Sequence, residues 1–139
     1  MCKTIKQVVR FQATPEEVYD LLADSQKHSR FTGKTAQISR KIGGEFRSYG
    51  GSAEGINVDL LRGKRIVQAW RDTEFPKGIF SMASVFLEPT KSGGTELTLI
   101  HRGVPKKLIP RIEKGWKTFY WKKMKSYLAR TSDPKGNFR

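Results

Sequence analysis

The chain is nearly devoid of cysteine. Cys2 is its one thiol, which excludes an intramolecular disulfide and a clustered-thiol metal site. Histidine is almost as scarce: His28 and His101 have no spaced third ligand, so no metal centre is expected. No run of 18 apolar residues exists for a membrane span. The N-terminus, MCKTIKQVVRFQ, has neither the apolar stretch nor the small-residue cleavage site of a secretory signal, which sets a cytoplasmic expectation. Gly43-Gly44 and Gly93-Gly94 fall in hairpin turns and not between a strand and a helix, so no phosphate-binding loop is present. Ser84, His101 and Asp59 can be assembled as a triad only on paper, because nothing in their spacing demands it. No catalytic residue and no cofactor are assigned, and the chain reads as a binding protein and not as an enzyme.

Acidic residues are also in short supply, 13 against 27 lysines and arginines, for a net charge of +14. The excess is uneven: residues 105–139 contain eleven basic residues against only Glu113 and Asp133. Such a surface attracts polyanions or an acidic protein partner through Coulomb steering. A specific nucleic-acid reader is not expected, because the aromatic residues of the basic C-terminal segment occupy the face turned toward the core and not an exposed stacking surface.

The length, 139 residues, fits one domain around one core. Residues 1–130 are assigned to it, and the Pro- and Gly-containing basic stretch 131–139 is expected to be a disordered tail. Lys6 to Phe11 reads as a strand. Thr14, Pro15 and Glu17 supply an N-cap, a first-turn proline and a capping-box partner for a short helix carrying Val18, Leu21 and Leu22 on one face. A second helical or turn element covers Asp24 to Phe31. Six further strands with period-2 alternation follow at Ala36–Arg40, Gly44–Tyr49, Gly55–Leu60, Arg65–Arg71, Phe80–Leu87 and Thr95–Arg102, separated by Gly-containing turns. Short connections imply an antiparallel meander. The last element is a helix centred on WKTFYWKKMKSYL, residues 116–128, whose apolar face carries Ile109, Ile112, Trp116, Phe119, Tyr120, Met124 and Tyr127, with Arg111, Lys114, Lys122 and Lys125 opposite. The class is α+β: a sheet of six to seven strands with one apolar face, covered by the only element long enough to do so.

Several dispersed segments occur in a telling order: TPEEVYD at 14–20, HSRFTG at 28–33, GGEF at 43–46, IVQAWR at 66–71, GTEL at 94–97, HRGVP at 101–105, Gly115-Trp116 and Tyr120-Trp121. Together they resemble the family of activator of heat shock protein 90 ATPase homologue-like domains, within the START-like (SRPBCC) superfamily. The resemblance implies the helix-grip fold, a curved antiparallel sheet gripping the C-terminal helix, with an apolar cavity between them. Members of that superfamily include lipid and hormone carriers, aromatic-ring cyclases and co-chaperone domains, so fold alone does not fix function.

Strand alternation assigns Phe46 and Ser48, Ile56, Val58 and Leu60, Ile66, Gln68 and Trp70, and Met82, Ser84 and Phe86 to the inward face. The expected ligand site is accordingly Phe46, Val58, Gln68, Trp70, Ser84, Phe86, Trp116, Phe119, Tyr120 and Met124. An inward Gln68 needs a partner from the protein, a water or a ligand. His28 is expected on the surface or at a cavity rim, and His101 in a structural hydrogen bond near the Pro105 turn. The favoured function is a carrier or sensor of an apolar or lipid-like small molecule; the alternatives are a chaperone-associated module that contacts an acidic partner through Arg111, Lys114, Lys122 and Lys125 and the loop Phe75-Pro76-Lys77-Gly78, and, third, an enzyme such as a cyclase or hydrolase using His101 or the polar groups of Gln68 and Tyr120. A monomer or a dimer is compatible with each.

Overall fold

The computed structural model describes residues 3–131, so Cys2 and the tail from 132 onward lie outside the described residues. Seven antiparallel strands form one sheet: β1 (Ile5–Phe11), β2 (Gln37–Ile38), β3 (Glu45–Ser48), β4 (Ala53–Leu61), β5 (Arg65–Asp72), β6 (Ser81–Pro89) and β7 (Thr95–Arg102). Their order is β1-β7-β6-β5-β4-β3-β2. Strands β2 to β7 are thus a plain meander. The first strand closes it by pairing with the last, from Ile5 opposite His101 to Phe11 opposite Thr95.

The connection from β1 to the far edge of the sheet is made by α1 (Pro15–Ala23) and α2 (Ser25–Thr32). The capping box at the start of α1 is formed as the sequence predicts: the Glu17 amide donates to the Thr14 hydroxyl at 3.2 Å and the Thr14 amide to the Glu17 carboxylate at 3.0 Å. Asp24 caps α2 through the Lys27 amide at 3.0 Å. Gly33 ends α2 in the left-handed conformation, φ 74°, which glycine adopts without penalty.

The C-terminal helix comprises α3 (Ile109–Gly115), a π-helical turn over Trp116–Trp121 and α4 (Lys122–Thr131). The junctions Gly115, Trp116 and Lys122 all have right-handed helical dihedrals, so the three run as one element. Within the turn the Lys122 amide donates to the Lys117 carbonyl, five residues back. The extra residue rotates everything after it. Tyr120 and Trp121 are therefore both buried, Phe119 is 49 % exposed, and the buried face continues through Met124 and Leu128. An uninterrupted 3.6-residue period places Phe119 inward and misses Trp121.

One strand, and the first part of another, present the opposite face to the one expected. In β6 the buried residues are Ser81, Ala83, Val85 and Leu87, whereas Met82 and Phe86 are exposed and Ser84 is half-buried on the outer side. The physical reason is space. Ala83 lies opposite Gln68 on one side and His101 on the other, beneath bulky inward neighbours, so a small residue fits there and Met82 does not. In β4 a bulge between Asn57 and Asp59 shifts the register. Asn57 is fully buried and Leu60 packs on the core, while Ile56 and Val58 face solvent. Phe46 and Ser48 in β3, and Ile66, Gln68 and Trp70 in β5, point inward as expected.

Candidate functional site

The interior between sheet and helix is organised around Trp116. Its ring stacks on Trp121 at 5.4 Å and 15°, and tilts against Tyr120 at 4.6 Å and Trp70 at 5.8 Å. The indole N–H donates to His101 Nδ1 at 3.0 Å. His101 Nε2 lies 2.7 Å from the Ser81 hydroxyl, which itself donates to the Trp70 carbonyl at 2.7 Å. The chain has one consistent proton arrangement: His101 is neutral, bare at Nδ1, and donates from Nε2 to Ser81. Burial lowers the His101 pKa from 6.5 to about 4, which keeps it in that form. The residue thus ties β7, β6 and the helix together, away from the Pro105 turn.

Around this hub lie further polar pairs. The hydroxyls of Ser48 and Tyr120 are 3.0 Å apart, and burial pushes the Tyr120 pKa up to about 12. Gln68 finds its partner inside the protein, donating to Asn57 Oδ1 at 3.1 Å. His28 is an exception. It is 3 % exposed, against Phe31 and Tyr120, and neither ring nitrogen has a hydrogen-bond partner. Burial lowers its pKa to about 4, with the Leu22 and Leu21 carbonyls acting weakly the other way. The expectation of a surface or rim position for His28 is corrected accordingly: α2 packs on the helix with this side chain inward.

These groups nearly fill the interior. A void of about 30 Å³ remains, lined by residues that include His28, Phe46, Ser48, Gln68, Trp70, Trp116 and Tyr120. It accommodates one or two water molecules and no organic ligand. Phe46, Gln68, Trp70, Trp116 and Tyr120 are therefore brought together, but around side chains. Met124 is completely buried in the core and lines neither this void nor the cleft described next. Val58, Ser84 and Phe86 lie on the other side of the sheet and are not part of any such site. Ser84 is likewise on the opposite face from His101, so the paper triad does not form.

A larger space opens beside the first half of the C-terminal helix. This cleft of about 450 Å³ is walled by Tyr49, Trp70, Trp116, Phe119 and Tyr120 and floored by Ala53, Ile112 and Gly115. Its polar end is Asp72, which accepts two bonds from Arg111, 2.8 and 3.4 Å, and one from the Glu74 amide at 2.9 Å. Glu74 also pairs with Arg111 at 3.2 Å. Tyr49 reaches across the mouth: its hydroxyl donates to the Phe119 carbonyl and its ring meets Phe119 and Tyr120 edge-on. Burial raises its pKa, and its backbone sits at φ 53°, a strained position for a residue with a side chain. Tyr49 and Asp72 escaped the sequence reading because both fall at strand ends, where alternation gives no facing signal.

The basic face of the C-terminal helix divides. Arg111 is engaged with Asp72 and Glu74, whereas Lys114, Lys122 and Lys125 are exposed with no carboxylate of the described residues within 4 Å. Lys117 joins them. The added residue of the π turn brings Lys122 and Lys125 into line with Lys114 and Lys117 along one stripe.

The profile of the family described as "Activator of Hsp90 ATPase homolog 1-like protein" matches residues 12–129, most of the chain. The chain belongs to that family. The Dictyostelium discoideum "Activator of 90 kDa heat shock protein ATPase homolog" is 32% identical over 115 residues, which is 83% of this chain and 30% of the relative. The human homolog 1 of the same description is 32% identical over 126 residues, 89% of this chain and 36% of the relative. This family member thus spans about a third of the length of the curated relatives it matches. A crystal structure of an HSP90 activator from Plasmodium falciparum superposes with a TM-score of 0.85 at 22% identity, covering 91% of this chain and 96% of that one. The α+β helix-grip fold is shared with that structure. No helix of the described residues is long and apolar enough to cross a membrane.

Proposed function

We propose that this chain is a chaperone-associated interaction domain that docks on an acidic surface of a 90 kDa heat shock protein through the outer face of its C-terminal helix. The observation that carries the reading is the stripe Lys114, Lys117, Lys122 and Lys125, exposed and with no carboxylate of the described residues within 4 Å. An unsatisfied basic stripe on a protein of net charge +14 steers association with an acidic partner. The named activity of the relatives supplies the class of partner. The near-filled interior supports an exterior function. Reversing the four lysines to glutamate is expected to weaken association with the purified chaperone by at least about tenfold at 50 mM salt, since rim charges act chiefly on the encounter rate. Stimulation of the chaperone's ATP turnover is the activity readout. Association that is absent at low salt, or unchanged by the reversal, overturns the reading.

A second reading is favoured by the cleft. Its volume of about 450 Å³ lies within the range of small-molecule sites, and its walls are aromatic with a few polar groups at one end. The ligand class is a flat apolar or amphipathic molecule. Phe119 is the probe residue, because it is half-exposed at the mouth and can be removed without emptying the core. Native mass spectrometry of the purified protein is expected to reveal an adduct, and Phe119→Ala to weaken it by about tenfold. Absence of any adduct, with no thermal shift from a panel of aromatic metabolites, rejects it.

A further inference from the structure

The two edges of the sheet are unequal. β2, at one end, is two residues long, whereas β1, at the other, runs for seven and among the described residues pairs only with β7. A long strand with one free side presents unpaired amides and carbonyls to any chain that can lie beside it. Beside this free side the C-terminal helix leaves two adjoining grooves. One, about 400 Å³, is lined by Gln7, Val8 and Val9 from the strand and by Lys117, Trp121, Lys122 and Lys125 from the helix. The other, about 450 Å³, continues past Lys125 to Arg10, Phe11 and Leu128.

We infer that this edge is a docking site for an extended acidic peptide segment, which adds to the sheet as an eighth strand alongside β1. Backbone hydrogen bonds to the strand would supply affinity, and alternate side chains specificity. Peptide residues turned toward the helix meet Lys117, Lys122 and Lys125. Those turned the other way meet Val8, 55 % exposed, between Lys6 and Arg10. Of the carboxylates nearest the strand, Glu96 is bridged to Arg10 at 3.1 Å and Glu113 to Lys3 at 3.6 Å, so among the described residues the charge of Lys6 and of the three helix lysines is not offset.

Charge decides the occupant. A second copy pairing edge to edge would set Lys6, Arg10 and three helix lysines against their own equivalents, which is repulsive. A nucleic acid would satisfy the lysines but not the free backbone of β1, and the buried Trp121 has no exposed face on which to stack a base. An acidic strand satisfies both. The inference rests on the protein-partner reading above and specifies how the partner's chain is held.

The test titrates the full chain, isotopically labelled, with a capped nine-residue peptide alternating glutamate and valine. Its lysine–valine counterpart, polyglutamate of equal charge and a short oligothymidylate serve as comparisons. Binding of the glutamate–valine peptide is expected to perturb β1 and Lys117 to Lys125, and to slow amide exchange at every second residue of β1. Lys117→Glu, Lys122→Glu and Lys125→Glu together are expected to lower its affinity by at least about tenfold, while Lys41→Glu, exposed at the opposite edge of the sheet, changes it by less than about threefold. No binding of that peptide overturns the inference. Equal or tighter binding of polyglutamate or oligothymidylate without slowed β1 exchange overturns it in favour of a general polyanion patch. Slow exchange of the outer β1 amides before any peptide is added does the same, in favour of a segment of this chain already seated there. If the peptide fails while the chaperone still binds in a lysine-dependent way, the docking mode falls and the partner reading stands. If the peptide binds and the chaperone does not, the reverse holds.

Discussion

Replacement of Trp116 by alanine is expected to destabilise the fold by about 5 kcal/mol. Removing a fully packed tryptophan costs roughly 3–5 kcal/mol through lost transfer energy and the cavity left behind. Here the side chain is 5 % exposed and touches Trp70, Tyr120 and Trp121 at once, so neighbouring rings cannot easily collapse into the gap. The substitution also strips the donor from His101 Nδ1, and a buried acceptor left without a partner costs a further 1–3 kcal/mol or so. Domains of this size have a total stability of about 5–15 kcal/mol, so the variant should be largely unfolded or close to its midpoint without denaturant. Trp116→Phe is the intermediate case, because it keeps an aromatic ring in the stack while losing the N–H and part of the indole volume. Its expected cost is about 2 kcal/mol. Urea titration followed by circular dichroism measures both. A loss below about 1.5 kcal/mol for Trp116→Ala would mean that the stack is not the hub of the core.

Why this tryptophan could be picked out from sequence, and its neighbour could not, is a matter of helical period. Ile109, Ile112 and Trp116 recur at ordinary spacing and identify the inward face correctly. The π turn that follows leaves no mark in composition, so the rotation that buries Trp121 and exposes Phe119 is legible only in three dimensions. The strands show a similar division. Their existence and meander order follow from alternation and turn residues, and the capping box at Thr14 is a local code that tertiary packing does not override. Their facing is less secure where both faces are apolar. In β6, Met82 and Phe86 are larger than Ser81 and Ala83, yet the small residues are inward, because the volume beneath them belongs to Trp70, Trp116 and His101. In β4 a single bulge reverses the parity of the strand halfway along.

The same limit applies to function. A sheet that grips a helix can hold either a ligand or its own side chains, and aromatic content alone does not distinguish them. Phe46, Trp70, Trp116 and Tyr120 are the right residues for a cavity wall, and here they close on one another. The basic residues were easier to place, but not to assign. Arg111 matches Lys114, Lys122 and Lys125 in sequence, and is withdrawn from them by Asp72, a residue 39 positions away whose proximity only the fold creates.

The second large effect is acid destabilisation through the two buried histidines. Both are held neutral by burial, with pKa values near 4 in the folded protein against 6.5 in the unfolded chain. Between those values the unfolded state binds the proton and the native state does not, so protonation favours unfolding. Stability is therefore undiminished above about pH 6.5 and falls as the pH drops toward 4, by roughly 3 kcal/mol for each histidine. The capping carboxylate of Asp24, whose pKa is lowered chiefly by the Lys27 amide, stabilises in full above its ordinary value of 3.8 and loses that contribution only below it, outside this window. Urea midpoints at pH 7.5 and pH 4.5 should differ by most of the combined amount. His28→Leu is expected to be close to neutral at pH 7.5, because neither ring nitrogen is hydrogen-bonded, and to remove about half of the pH dependence. His101→Leu should destabilise at both pH values, since it orphans the Trp116 N–H. A wild-type midpoint that does not move between pH 7.5 and 4.5 would mean that the histidines are hydrated in solution. A midpoint that moves equally in wild type and His28→Leu would place the whole effect on His101.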